Sequence, residues 1–289
     1  MLMKYILISA TIFCTLLYSC KSNKSESTTE NAKHSLEKMW ESDTVFTTVE
    51  SAIYDAKTNM IYVSNIDGEP WAEDGKGSIG RLNIDGSVKD AKWITGLNCP
   101  KGLGITNGKL YVTDNHQLVE IDIASGKITQ KYQVEGAKGL NDVGTTDDGT
   151  VYFTDSEKGS VYKLSQGKIN LVTEKLQGSN GILVEKDRLL LGTWGNESLT
   201  AYNFASGKLT ILADSLTQPD GIEAVGDGGY LVSSWKGIIH YVSPEGKSSE
   251  LLNTTKDSVG TADIDYIQDK KMLLVPTFFK NKVVAYKLN

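Results

Sequence analysis

Residues Asn141-Asp142-Val143-Gly144-Thr145-Thr146 run into the turn Asp147-Asp148-Gly149. After it come Val151-Tyr152-Phe153-Thr154, then Ser160 to Leu164, a second turn Ser165-Gln166-Gly167-Lys168, and Ile169 to Thr173. Short runs with strand-type alternation, separated by Gly-containing turns, make a four-stranded antiparallel meander. Outward from this stretch, its polar head recurs as Glu50-Ser51-Ala52-Ile53, Lys101-Gly102-Leu103, Asn180-Gly181-Ile182, Asp220-Gly221-Ile222 and Asp263-Ile264. The first positions of the six copies are spaced by 51, 40, 39, 40 and 43 residues. A period near forty with four strands per repeat is that of propeller blades. The expected fold is therefore all-β, a six-bladed β-propeller of four-stranded antiparallel blades over residues 36–289.

The last repeat has only three strands of its own, roughly Asp263 to Ile267, Met272 to Pro276 and Lys282 to Leu288. Leu36 to Ser42, with Trp40, precede the first blade and have no partner nearby in sequence. They are expected to supply the outer strand of the last blade, which covers two sheet edges at once.

Strand direction places the chemistry. If each polar head opens an innermost strand at one face, the end of each second strand returns to that face. An inner ring of Glu50, Lys101, Asn141, Asn180, Asp220 and Asp263 should then meet a second ring. The second ring comprises Asn65 to Asp67, Asp114 to His116, Asp155-Ser156, Thr193-Trp194, Ser234-Trp235 and Thr277 to Phe279. Its first half is polar and its second half aromatic, which suits a small amphipathic ligand. An insertion, Gly68 to Lys76, falls over the same face, either as a lid with Trp71 turned inward or as a solvated loop.

Composition narrows the function. The 289 residues are 39% hydrophobic and 23% charged, ordinary for a globular protein, and 28 Gly against 5 Pro fits many tight turns. A formal net charge of −6 without a Lys/Arg run argues against nucleic acid as partner.

Residues 1–19 read as an export signal: Lys4, an apolar run from Tyr5 to Tyr18, then Ser19 before Cys20. Leu17-Tyr18-Ser19-Cys20 resembles a bacterial lipobox, with Cys20 the lipidated residue; the alternative is an ordinary signal peptide in which Cys20 is incidental. Residues 20–35 read as a flexible tether, since 21–33 lack large apolar side chains. Contact with a membrane is expected through the lipid only, on a monomer. Lys21 resembles the sorting position of lipoproteins sent to the outer membrane, facing the periplasm. Cys99 is left alone in the folded part and reads as a buried small hydrophobe.

On the axis, Glu50, Asn141, Asn180 and Asp220 offer two carboxylates and two amide carbonyls, hard oxygens suited to calcium with positions left for water or substrate. His34, His116 and His240 are too scattered for zinc. Lys101 shares the ring and is an alternative countercharge for Glu50 or Asp220, in which case the site needs no metal.

At Gly139-Leu140-Asn141-Asp142, Ser179-Asn180-Gly181-Ile182 and Gln218-Pro219-Asp220-Gly221 the chain resembles the six-bladed calcium propellers of the senescence marker protein and gluconolactonase family, relatives of paraoxonases and diisopropylfluorophosphatases. That family carries Glu, Asn, Asn and Asp at its first, third, fourth and fifth blades, the slots of Glu50, Asn141, Asn180 and Asp220. Two departures stand out: Glu50-Ser51-Ala52 followed by Tyr54 where the family has Glu-Gly-Pro and Trp, and Asn141-Asp142-Val143 where it has Asn-Asp-Gly. The second weakens assignment to the sugar-lactonase branch. The resemblance implies hydrolysis of a lactone or related ester, with calcium polarising the carbonyl and Asp220 as base or nucleophile. It also puts Lys101 in a substrate-contacting slot. His116 is an alternative general base or a rim residue, and Trp194 and Trp235 are candidate walls. The competing function is a non-catalytic propeller that binds a small ligand or a protein on the same face.

Overall fold

A computed structural model describes residues 34–289. The expected signal peptide, Cys20 and residues 21–33 of the expected tether lie outside the described residues. His34 and Ser35 do not belong to a tether. Ser35 exchanges backbone hydrogen bonds with Asn289, and His34 Nε2 lies 3.0 Å from Asp227 Oδ2, so the folded part starts before Leu36.

Among the described residues, six separate four-stranded antiparallel sheets form the blades. Five are consecutive meanders, whose inner strands are Val49–Asp55, Pro100–Thr106, Leu140–Thr145, Ser179–Val184 and Pro219–Ala224. The sixth is built from Asp265–Ile267, Met272–Pro276 and Val283–Leu288, and its outer strand is Leu36–Glu41, paired with Val283–Leu288. The N-terminal strand thus closes the ring as expected.

The hydrophobic core follows the seams between blades. Val49, Ile61 and Leu82 of blade 1 pack on Ile267, Met272 and Leu274 of blade 6. Leu190 and Leu199 of blade 4 pack on Ile222, Tyr230 and Val232 of blade 5. Strands that pack other blades on both faces need apolar residues on both, and the second strands Ile61-Tyr62-Val63 and Leu189-Leu190-Leu191 supply them.

Each full inner strand begins with the same irregularity. Val49 pairs with Asn65 but Ala52 with Val63, a slip of one residue, and the slip recurs at Pro100/Leu103, Leu140/Val143, Ser179/Ile182 and Pro219/Ile222. The polar head is thus a β-bulge, which re-aims side chains and leaves backbone groups unpaired. Second-strand hydroxyls satisfy some of those groups: Ser64 Oγ accepts Ser51 N–H, Thr154 Oγ1 accepts Asp142 N–H and donates to Asn180 C=O at 2.8 Å, and Thr113 donates to Asn141 C=O. Where the residue after the head is glycine, at Gly102, Gly181 and Gly221, it meets the next blade's backbone. A Cβ on Gly181 would lie 1.8 Å from the Asp220 carbonyl oxygen.

The first and last blades join at the axis. Asp263 N–H donates to Glu50 C=O, Ser51 Oγ donates to Asp263 Oδ2 at 2.6 Å, and Asp265 Oδ2 accepts Tyr54 N–H. Asp263, to which the sequence assigned no role, is therefore part of the ring closure.

Candidate functional site

The bulges turn the second residue of each inner strand toward one end of the axis, where a cavity of 330 Å³ is lined by Glu50, Lys101, Asn141, Asn180 and Asp220. All four expected metal ligands and the ring lysine therefore share one space. Trp194, Trp235 and Phe278 form its apolar wall, and Trp71 covers it.

Glu50 and Asp220 are 4% and 1% exposed. Burial pushes the Glu50 carboxyl up to about 7, with Lys101 pulling the other way. Burial, then the charges of Glu50 and Asp263, hold the Asp220 carboxyl well above the usual carboxylate range. Glu50 Oε2, Asn141 Oδ1 and Asp220 Oδ1 are buried without a hydrogen-bond partner among the described residues. Buried orphan oxygens are costly, and three of them on residues that line one cavity make a donor set for a hard, oxygen-seeking cation. Among the described residues no three His, Cys, Asp or Glu side chains form a metal group by themselves. A cation here would depend on the amide oxygens of Asn141 and Asn180.

Two residues outside the expected set complete the arrangement. Ser156 accepts from Asn141 Nδ2 at 3.0 Å and donates to Ser179 C=O at 2.9 Å, which turns the Asn141 oxygen away from the blade. Asp142, 2% exposed, is buried among the axial carboxylates, where its side chain hydrogen-bonds Asp220; burial and the charges of Asp263, Asp220 and Glu50 hold its carboxyl well above its ordinary range, so that it can supply the shared proton. Its sequence position next to Asn141 was legible, but not its place among the axial carboxylates.

Lys101 is 4% exposed, and its ammonium lies 4.2 Å from the centroid of the Trp71 ring. Each of the two readings of the insertion holds for part of it: Pro70 and Trp71 line the cavity, with Trp71 38% exposed, while Gly68, Glu69 and Glu73 to Lys76 are solvated. Trp71 has φ +84°, a strained conformation for a bulky residue, and is held by its N–H on Cys99 Sγ at 3.0 Å and by Asn115 Nδ2 on Ala72 C=O at 2.9 Å. Among the described residues Cys99 is a free, fully buried thiol packed with Ile66, Ala262 and Phe278, as expected of a small hydrophobe.

The second ring divides differently from the expectation. Asp114 accepts the Asn98 and Cys99 N–H groups, and Asp155 accepts those of Lys138, Gly139 and Lys158. Both carboxylates are spent on the loops that deliver their own blade's inner strand, Pro100–Thr106 and Leu140–Thr145, and do not line the cavity. His116 also stands outside the lining. It is half-exposed on the rim, with Nε2 3.4 Å from Glu73 Oε1 of the insertion, so the structure gives it the position of a rim residue. The aromatic half is as expected: Trp194 and Trp235 are tilted rings 6.3 Å apart, and Trp194 Nε1 donates to Pro219 C=O beside Asp220.

A profile described as SMP-30/Gluconolactonase/LRE-like region matches residues 48–261, the greater part of the chain and all of the axial residues except Asp263. None of the curated proteins compared with the sequence matches it. Among solved structures, a protein assigned as a gluconolactonase has a TM-score of 0.67 at 16% identity, covering 89% of this chain and 93% of that one. A catalytically inactive virginiamycin B lyase from Staphylococcus aureus, with quinupristin, has a TM-score of 0.62 at 16% identity over 88% and 99%. A chain of a nidogen/laminin complex has 0.63 at 16% over 75% and 84%. At these identities the likeness shows the fold alone.

Proposed function

Because the chain belongs to the SMP-30/Gluconolactonase/LRE-like family, we propose that it is a calcium-dependent hydrolase of a lactone or related ester, held in the bacterial cell envelope by a lipid on Cys20. The observation that carries this reading is the convergence of Glu50, Asn141, Asn180 and Asp220 on one cavity, with three of their oxygens orphaned. A bound calcium would balance the axial carboxylates and polarise the carbonyl of the substrate. Asp220 lines the cavity, and its carboxylate accepts a proton from the attacking water, which then passes to the leaving alkoxide; ester and water become acid and alcohol, and a lactone opens to its hydroxy acid. The Lys101 ammonium stabilises the developing oxyanion or holds a substrate carboxylate. Trp71 limits the access of bulk water.

The test is turnover of lactones, aryl esters and phosphotriesters before and after chelation. Hydrolysis of a lactone or carboxylic ester is expected, falling to background without calcium and returning with it. No calcium-dependent turnover of any class would contradict the reading and favour the non-catalytic alternative, a propeller that binds its partner on this face.

A pH dependence follows from Glu50. Its carboxyl is raised from 4.5 to about 7, so the native state without metal holds a proton that the unfolded chain has lost between those values. Stability of the metal-free protein therefore falls as pH rises from 4.5 to about 7. Calcium must displace that proton, so its affinity is expected to climb at least about tenfold per pH unit in the lower part of this window. An affinity flat from pH 5 to 7 would remove Glu50 from the ligand set.

The expected lipid anchor would keep the monomeric propeller on the periplasmic side of the outer membrane. Globomycin sensitivity of processing, and loss of membrane attachment in Cys20→Ser, are the corresponding checks.

A further inference from the structure

A second space lies against the aromatic wall of the axial cavity. Trp235 and Phe278 line both this cavity and a neighbouring groove of 450 Å³, whose other apolar walls are Ile238 and Phe279. The rings form a continuous path: Trp194 to Trp235 at 6.3 Å, Trp235 to Phe279 at 6.1 Å, and Phe278 to Phe279 at 4.6 Å. Phe279 is 62% exposed and stands at the outer end of this path.

The backbone is strained to present it. Phe278 has φ +49°, a left-handed conformation that a bulky residue rarely adopts. It is held there by Val49 N–H on Phe278 C=O and by the neighbouring Asn281, whose Oδ1 accepts Thr48 N–H at 2.8 Å. The result places Phe278 inward against Trp235 and Phe279 outward along the groove.

We propose that this groove is a second subsite for the apolar tail of the substrate, so that the substrate is an ester or lactone bearing an alkyl or aryl extension and not a bare polyol lactone. This rests on the hydrolase reading above. Adjacency to the axial cavity selects the occupant: the two spaces lie on either side of Trp235 and Phe278, so an extension on a substrate seated at the axis has only to cross the rim of that wall to lie in the groove. Polar Thr217, Lys236, Thr255 and Ser258 also line the groove, which makes it a slot for one chain and not a broad apolar patch of the size a protein partner needs. A bare polyol lactone seated on the axis has no extension to lie in the groove, whereas each methylene laid along the aromatic path is removed from water.

The experiment uses γ-lactones with alkyl side chains from methyl to decyl on the purified full chain with calcium. Matched γ-lactams, which resist hydrolysis, serve as binding probes read by tryptophan fluorescence. Each added methylene is expected to raise kcat/KM about fourfold until the groove is filled, and lactam affinity is expected to rise in parallel. Phe279→Ser, at an exposed position, should flatten both slopes while the thermal midpoint stays near that of the native chain. Turnover that does not vary with chain length, or slopes unchanged in F279S, would overturn the subsite while leaving the hydrolase reading intact. Lactam affinity that rises with chain length and falls in F279S, with no lactone and no alkyl ester of matched chain length turned over, would support the subsite as an apolar-ligand site and contradict the hydrolase reading. Dimerisation lost in F279S, in place of any chain-length effect, would assign the groove to a second copy and overturn the proposal.

Discussion

Asp220→Asn lowers kcat/KM by at least about a thousandfold on whichever lactone or ester the protein hydrolyses, the scale on which removal of a reacting carboxylate acts. Asparagine keeps the shape and one oxygen, so the geometry of the axis survives while the proton acceptor is lost. The same substitution removes a charge from a crowded place. Burial, Glu50 and Asp263 all disfavour the ionised Asp220, so the metal-free variant should melt no lower than the native protein and can melt higher. Loss of activity without loss of stability separates this outcome from simple unfolding. Native kcat/KM in the Asp220→Asn protein would leave Asp220 at most a ligand, and the general base would have to be sought elsewhere.

Gly181→Ala should damage fold and site together. The added Cβ would lie 1.8 Å from the Asp220 carbonyl oxygen and 2.8 Å from its carbonyl carbon, so backbone has to move. Overpacking against backbone costs about 3 kcal/mol or more, which for a domain of this size is a drop of roughly 6–12 °C in thermal midpoint. Of the two strands forced apart, Ser179–Val184 carries Asn180 and Pro219–Ala224 carries Asp220, so calcium binding should fall as well. A melting temperature within a degree of the native value would mean that blades 4 and 5 are not in the close contact described.

The fold was legible because the polar head of each repeat marks a structural event that has to recur. A residue such as Asn180 followed by glycine starts a bulge, and the bulge has to sit where the next blade's backbone passes. Leu36 to Ser42 could be placed by counting strands, since the last repeat lacked one. The axial set was legible for the same reason: the second residue of a bulged inner strand has nowhere to point but the cavity. What could not be read was how polar groups are spent. Asp114 and Asp155 stand at the ends of second strands, as their spacing required, yet they cap incoming loops, and no periodicity distinguishes a carboxylate that caps backbone from one that faces a ligand. Ser156 matters through a hydrogen bond to Asn141 that only three-dimensional proximity reveals. Asp263 binds Ser51 across the ring closure, a contact between residues more than two hundred positions apart. Trp71 was ambiguous because its orientation depends on Cys99 and Asn115, which belong to another blade.

Everything proposed for the site depends on whether a cation or Lys101 balances Glu50 and Asp220. The most direct measurement is calorimetric titration of calcium into the chelated protein at pH 8, beside the thermal midpoint with and without the ion. The account predicts one calcium per chain, a raised midpoint, and loss of both in Glu50→Gln. No heat and no shift in the native chain, with binding appearing only in Lys101→Met, would contradict it and make Lys101 the site's own countercharge.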